Sequence, residues 1–126
     1  EARKLIEQGQ DDAALATLAL AIQENPRLTA AYLEIASIHQ RRGDYAMAEQ
    51  RYEEAARLEP NNYDAQYGNA LAKHLAGKLR AAVRAYLRAL TLRPDSFDAN
   101  RDLSAAYLQL GESAQALPYA MRSTRL

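Results

Sequence analysis

The sequence predicts an all-α protein built as a row of short antiparallel helix pairs. Two observations carry that reading. Apolar residues recur at i, i+3 and i+4, the spacing of one helix face, and no stretch shows the strict alternation of a half-buried strand. The punctuation between the helical stretches also keeps a fixed step. Gly9, Gly43, Gly77 and Gly111 are each 34 residues apart, as are Pro26, Pro60 and Pro94. Ala14, Ala48, Ala82 and Ala116 share the step, and so do Ala21, Ala55 and Ala89. A helix pair of this length cannot bury its apolar face alone, so each copy must complete its core against the next.

Residues 1–28 read as an incomplete first copy. EARKLIEQ is taken as the end of a first helix, Gly9 as its turn, and Asp12 to Gln23 as the second helix before Pro26. No Met opens the chain and no signal peptide is visible, which points to a piece of a longer protein. Residues 29–62 form the most regular copy. Its first helix, from about Ala30 to Arg42, carries Tyr32, Ile35, Ala36 and His39 on one face and stops at Gly43-Asp44. Its second, from about Tyr45 to Leu58, carries Ala48, Tyr52, Ala55 and Ala56 and ends before Pro60.

The copy at 63–96 departs from this in its first helix, YDAQYGNALAKHLA, where the packing positions become Gln66, Asn69, Ala70 and Lys73. Tyr67, Leu71 and Leu75 meanwhile form an apolar row, with His74 beside them. Either this helix is rotated about its axis, or an apolar strip is left open. Lys73 is expected to snorkel to the surface, and Asn69 to be hydrogen-bonded between helices. The second helix, Leu79 to Leu92, returns to pattern with Ala82, Tyr86 and Ala89. The copy at 97–126 follows the N-cap pair Asp95-Ser96 and has Phe97, Leu103, Tyr107 and Leu110 as its apolar face. Its last helix contains Pro118, which fits a helix best in the first turn, and small residues that bury little area. No polar capping helix follows, so this end should be the weakest.

The shared pattern is Tyr32 opening a first helix, Gly at the turn, Ala48 and Tyr52 (again Ala82 and Tyr86) on the second, then Ala and Pro. On these residues the chain resembles the tetratricopeptide-repeat family along its whole length. The resemblance implies a right-handed α-solenoid superhelix of about three and a half repeats, an interaction module with no enzymatic activity. It also implies a concave groove in which the first helices bind an extended peptide or a short helix. The positions on that inner wall are Leu33, Arg41, Tyr67, Leu71, His74, Asp98, Arg101 and Leu108, with Asp64 and Asp102 near the helix starts. One subset of the family holds a C-terminal carboxylate with Lys, Asn and Arg. The matching places here are Leu33, Ser37, Gly68, Asp98 and Asp102, none of which fits that role.

Other classes are disfavoured by composition. Sixteen basic and sixteen acidic residues give a formal net charge of zero, against the basic excess of a nucleic-acid binder. No apolar run approaches the ~18 residues needed to cross a bilayer. Cysteine is absent, so thiolate metal sites and disulfides are excluded and the compartment stays open. His39 sits at a packing position and His74 has no second ligand near it in sequence, so neither metal nor cofactor is expected. Arg80, Arg84 and Arg88 line one face of a second helix and read as a solvated outer surface. The abundance of Arg over Lys hints at a GC-rich bacterial source. Two alternatives accompany the scaffold reading. One is a regulatory or targeting domain of a larger enzyme, such as a transferase. The other is a solenoid that self-assembles through its uncapped ends.

Overall fold

The computed structural model describes residues 2–125, with side chains from Glu7 to Thr124. Seven helices and no strand are present among them: α1 (Ala2–Glu24), α2 (Thr29–Arg41), α3 (Tyr45–Leu58), α4 (Tyr63–Leu75), α5 (Leu79–Leu92), α6 (Phe97–Gln109) and α7 (Ser113–Arg125). The pairs α2–α3, α4–α5 and α6–α7 stack in chain order, joined by α3–α4 and α5–α6 contacts. Within the stack α2 touches α4 and α4 touches α6, while α3, α5 and α7 do not meet one another. The row is therefore tighter along α2, α4 and α6, which form the concave side of an α-solenoid.

Three turns repeat one geometry. Gly43, Gly77 and Gly111 take φ of 81°, 84° and 77°, the left-handed backbone that glycine enters without a Cβ penalty. The next amide then reaches back five residues, Asp44 to the His39 carbonyl at 2.8 Å, Lys78 to Lys73 and Glu112 to Tyr107 at 2.9 Å. This closes each first helix. Asn62 and Ser96 cap α4 and α6 by accepting the Ala65 and Ala99 amides at 3.1 Å.

The turn expected at Gly9 does not form. Helix α1 runs through it without a break, and open space surrounds the place a Cβ would occupy. Reversing the chain there would forfeit backbone hydrogen bonds, and among the described residues α1 touches α2 alone, so little surface is on offer to offset that loss. Helix α7 likewise continues past Pro118, which lies in its second turn. Pro118 and Ala114 are both exposed, so water can satisfy the carbonyl that loses its partner.

Helix α4 is not rotated. Gln66, Asn69, Ala70 and Lys73 are all buried, on the same face that α2 buries with Tyr32, Ile35 and Ala36. The snorkelling expected of Lys73 is replaced by pairing. Its Nζ lies 2.7 Å from Glu53 and 3.3 Å from Glu49, both on α3. The Asn69 partner is also not across the helices, since its Oδ1 accepts from the Lys73 ammonium one turn on. Lys78 adds a second cation to Glu49 at 3.1 Å. Burial alone pushes the Glu49 carboxyl up, but the Lys78 hydrogen bond and the Lys73 charge outweigh it and hold it below the usual carboxylate range.

Position four of each pair solves one problem with three chemistries. The Tyr32 hydroxyl, the Gln66 amide and the Asn100 amide donate to the carbonyls of Pro26, Pro60 and Pro94 at 2.9, 3.0 and 3.1 Å. Each bond ties the start of an inner helix to the loop before it.

Candidate protein-binding groove

Aromatic rings run through the junction of α4, α5 and α6. Tyr63 and Tyr67 stand one turn apart on α4, and their rings stack at 5.8 Å and 11°. Tyr67 meets the fully buried Tyr86 of α5 at 6.1 Å, and His74 packs edge-on to the same ring at 5.7 Å. The Arg93 guanidinium caps the row, 4.4 Å above Tyr63. Tyr67 is thus half-buried against the core rather than laid open.

Polar bonds knit the same wall together. The Tyr67 hydroxyl donates to Asp102 Oδ2 at 2.5 Å, and Arg101 Nε donates to Asp102 Oδ1 at 2.9 Å. Burial, then the Asp102 bond and charge, push the Tyr67 phenol up, so it stays a donor through the alkaline range. Burial does the same for Tyr86, helped by the Asp102 charge. His74 places Nδ1 2.9 Å from the Tyr86 hydroxyl and Nε2 2.6 Å from Gln109 Oε1. Both bonds are satisfied by a neutral ring with its proton on Nε2, since Tyr86 then donates and Gln109 accepts. His74 is a strut joining three helices.

The wall residues anticipated from sequence fall into two groups. Tyr67, Leu71 and His74 lie on α4 and Asp98, Arg101 and Leu108 on α6, and Asp102 links Tyr67 to Arg101. Leu33 and Arg41 lie on α2, where Leu33 packs half-buried beside Tyr32 and Tyr52. Arg41 turns to Asp11 of α1 at 3.4 Å. Arg101 is also engaged within the chain, by Asp102 and by Asp98 at 3.4 Å. Both arginines are thus paired within the chain, though more than half exposed. Three large apolar side chains stay exposed here: Leu75 at 46%, Phe97 at 46% and Leu108 at 56%. Sequence reading passed over Tyr63, Arg93 and Gln109. The i, i+4 spacing of Tyr63 and Tyr67 was a usable signal for the first.

A cleft of about 410 Å³ opens at the start of this wall, lined by Tyr63, Arg93, Pro94, Asp95, Ser96 and Asp98. Among the described residues, no three His, Asp or Glu side chains are grouped to hold a metal ion. No described helix is long and apolar enough to cross a membrane.

Comparison with known proteins assigns the repeats. A tetratricopeptide-repeat model matches residues 29–62, and a second TPR-repeat model matches residues 70–111, together more than half of the chain. The chain belongs to the tetratricopeptide-repeat family. A TPR repeat-containing thioredoxin, TTL4 of Arabidopsis thaliana, is 36% identical over 76 residues, which is 60% of this chain and 11% of that protein. Among solved structures, MamA AMB-1 superposes with a TM-score of 0.86 at 21% identity, covering 96% of this chain and 66% of that one. MamA 41-end from Desulfovibrio magneticus RS-1 gives 0.85 at 17% identity, covering 97% of this chain and 69% of that one. These likenesses show the tetratricopeptide-repeat solenoid fold. Family and fold together support a general protein-interaction module.

Proposed function

We propose that the chain is a scaffold or adaptor module that holds a peptide or protein segment in the concave groove of α2, α4 and α6. The observation that carries this is the exposure of Leu75, Phe97 and Leu108 at the inner layer, beside a wall whose other side chains are already bonded to one another. A pre-bonded wall is rigid, and rigidity lowers the ordering cost of binding. Exposed apolar side chains on such a wall supply the contact area. Among the described residues no nucleophile is bonded to a base in the groove, and the His74 nitrogens are both occupied, which suits binding.

The test is selection of binders from a random-peptide phage library on the immobilised chain. Selected peptides should lose at least tenfold in affinity toward a Leu75→Asp/Leu108→Asp variant that melts like the parent. Binders indifferent to that variant would place the binding surface elsewhere.

A second reading, self-assembly, has its own observation. Leu117 and Met121 stand one turn apart on α7, 58% and 45% exposed. Mass measured across concentration separates it from the groove reading. A concentration-dependent mass that Leu117→Asp abolishes would favour assembly.

A further inference from the structure

We infer that the end of the stack formed by α6 and α7 binds the same end of a second copy about a two-fold axis. This rests on the self-assembly reading above and adds the face and the symmetry. The 34-residue step shows what that face replaces. One copy earlier, Tyr63 and His74 of α4 and Val83 and Leu87 of α5 all meet α6. Tyr63 bonds to Ser96 and His74 to Gln109, while Val83 and Leu87 join the core that Leu103 and Tyr107 complete. The corresponding residues of α6 and α7 are Phe97, Leu108, Leu117 and Met121, and no described helix covers them. These four are half of the eight large apolar side chains exposed among the described residues, so no other described surface offers this end an equal apolar partner.

Three features select a second copy. The phenol and the imidazole that reach the next pair by hydrogen bonds have become Phe97 and Leu108, so this end has lost those polar handles and offers packing instead. The face also carries its own hollows. Leu71 and Tyr86 are followed one step on by Ala105 and Ala120, both half-buried. Large and small side chains stand together on one surface, as an isologous contact requires, because each copy must supply both the projections and the recesses. Charge does not oppose the meeting. Arg101 is held by Asp98 and Asp102 and lies over the Phe97 ring at 5.2 Å. Helix α7 has no acidic residue, and Arg122 rests on the Tyr119 ring. Two helix faces give fewer than the roughly 20–30 residues a side of a standard interface, so the dimer is weak and its population follows concentration.

Sedimentation equilibrium of the full chain over a wide concentration range is the test. The mass should rise and level off at two copies, because a two-fold contact closes on itself. Leu117→Asp/Met121→Asp should weaken association at least tenfold with its melting unchanged, since each carboxylate would have to leave water in the dimer. Leu75→Asp, on α4, should associate like the parent. Phe97 and Leu108 also edge the groove and are left unaltered for that reason. Amide exchange of the unaltered chain gives a second readout, in which protection of α7 rises with concentration and that of α3 does not. A mass that grows past two copies indicates a head-to-tail contact, and overturns the two-fold assignment while self-assembly stands. Association indifferent to Leu117→Asp/Met121→Asp, lost equally in Leu75→Asp, or without concentration-dependent protection of α7, overturns the face in the same way. A chain that stays monomeric at every concentration overturns the inference and the self-assembly reading together, and leaves the groove reading standing.

Discussion

The seam between α3 and α4 and the seam between α5 and α6 occupy the same places in the repeat and are built from opposite chemistries. Glu49, Glu53, Asn69 and Lys73 fill the first. One 34-residue step later the same positions hold Val83, Leu87, Leu103 and Tyr107. Both seams keep a tyrosine at their centre, Tyr52 and Tyr86, and both bury it. The difference teaches that the stack fixes spacing and leaves chemistry free, provided that all four positions change together. A single apolar residue among the first four would take a partner from a buried charge, whereas the complete set is satisfied.

Truncating the apolar seam should have the largest effect. Tyr86 is fully buried and contacts Tyr67 and His74, so Tyr86→Ala should cost about 3–5 kcal/mol in a denaturant titration. A loss under 1 kcal/mol would show that α5 and α6 are not held there. Next comes the polar seam. Lys73→Met leaves Glu49 with the exposed Lys78 as its cation and should cost about 2–3 kcal/mol, at the low end for a buried pair because Glu53 still reaches water. Changing all four residues to Val, Leu, Leu and Tyr should reverse the sign, and gain about 1–4 kcal/mol. A quadruple variant less stable than Lys73→Met would refute the equivalence of the two seams.

The polar seam should also respond to acid. The Glu49 carboxyl is held below its usual value in the folded chain. Its contribution is therefore present above the unfolded pKa of about 4.5 and fades as pH falls through the lower folded value. The quadruple variant should lack that part of the acid dependence.

The smallest effect concerns Gly68, which gives the Tyr52 ring its place. A Cβ there would overlap the ring atoms. Gly68→Ala gains about 1 kcal/mol of helix propensity, but overpacking costs about 1–3 kcal/mol. The expected net is a loss of about 1 kcal/mol. A gain in melting temperature would show that the ring moves aside freely.

The 34-residue step made the helix pairs legible, and α3 and α5 begin and end where the pattern placed them. Periodicity reports which face is buried and is silent about what a buried polar residue meets there. Lys73 finds Glu53 and Glu49 at separations of twenty residues or more, and Tyr67 finds Asp102 at thirty-five. Such pairs exist only once the helices are stacked. The same blindness hid the pairing of Arg101 with Asp98 and Asp102. Gly9 failed for a different reason. Glycine permits a turn without requiring one, and the other three turns are fixed by packed helices on both sides.

The three proline carbonyls have a consequence for how such arrays drift. A phenol, a glutamine amide and an asparagine amide are far apart on any scale of residue similarity, yet each supplies one donor to one acceptor at nearly one length. In that sense the three are synonyms. A copy can exchange one for another and alter its interior polarity while its hinge to the preceding copy persists. An aliphatic residue of equal bulk has no such standing, because it would leave the carbonyl mute. Divergence at that site is neutral in shape and consequential in composition, which is how neighbouring copies come to differ so widely inside one frame.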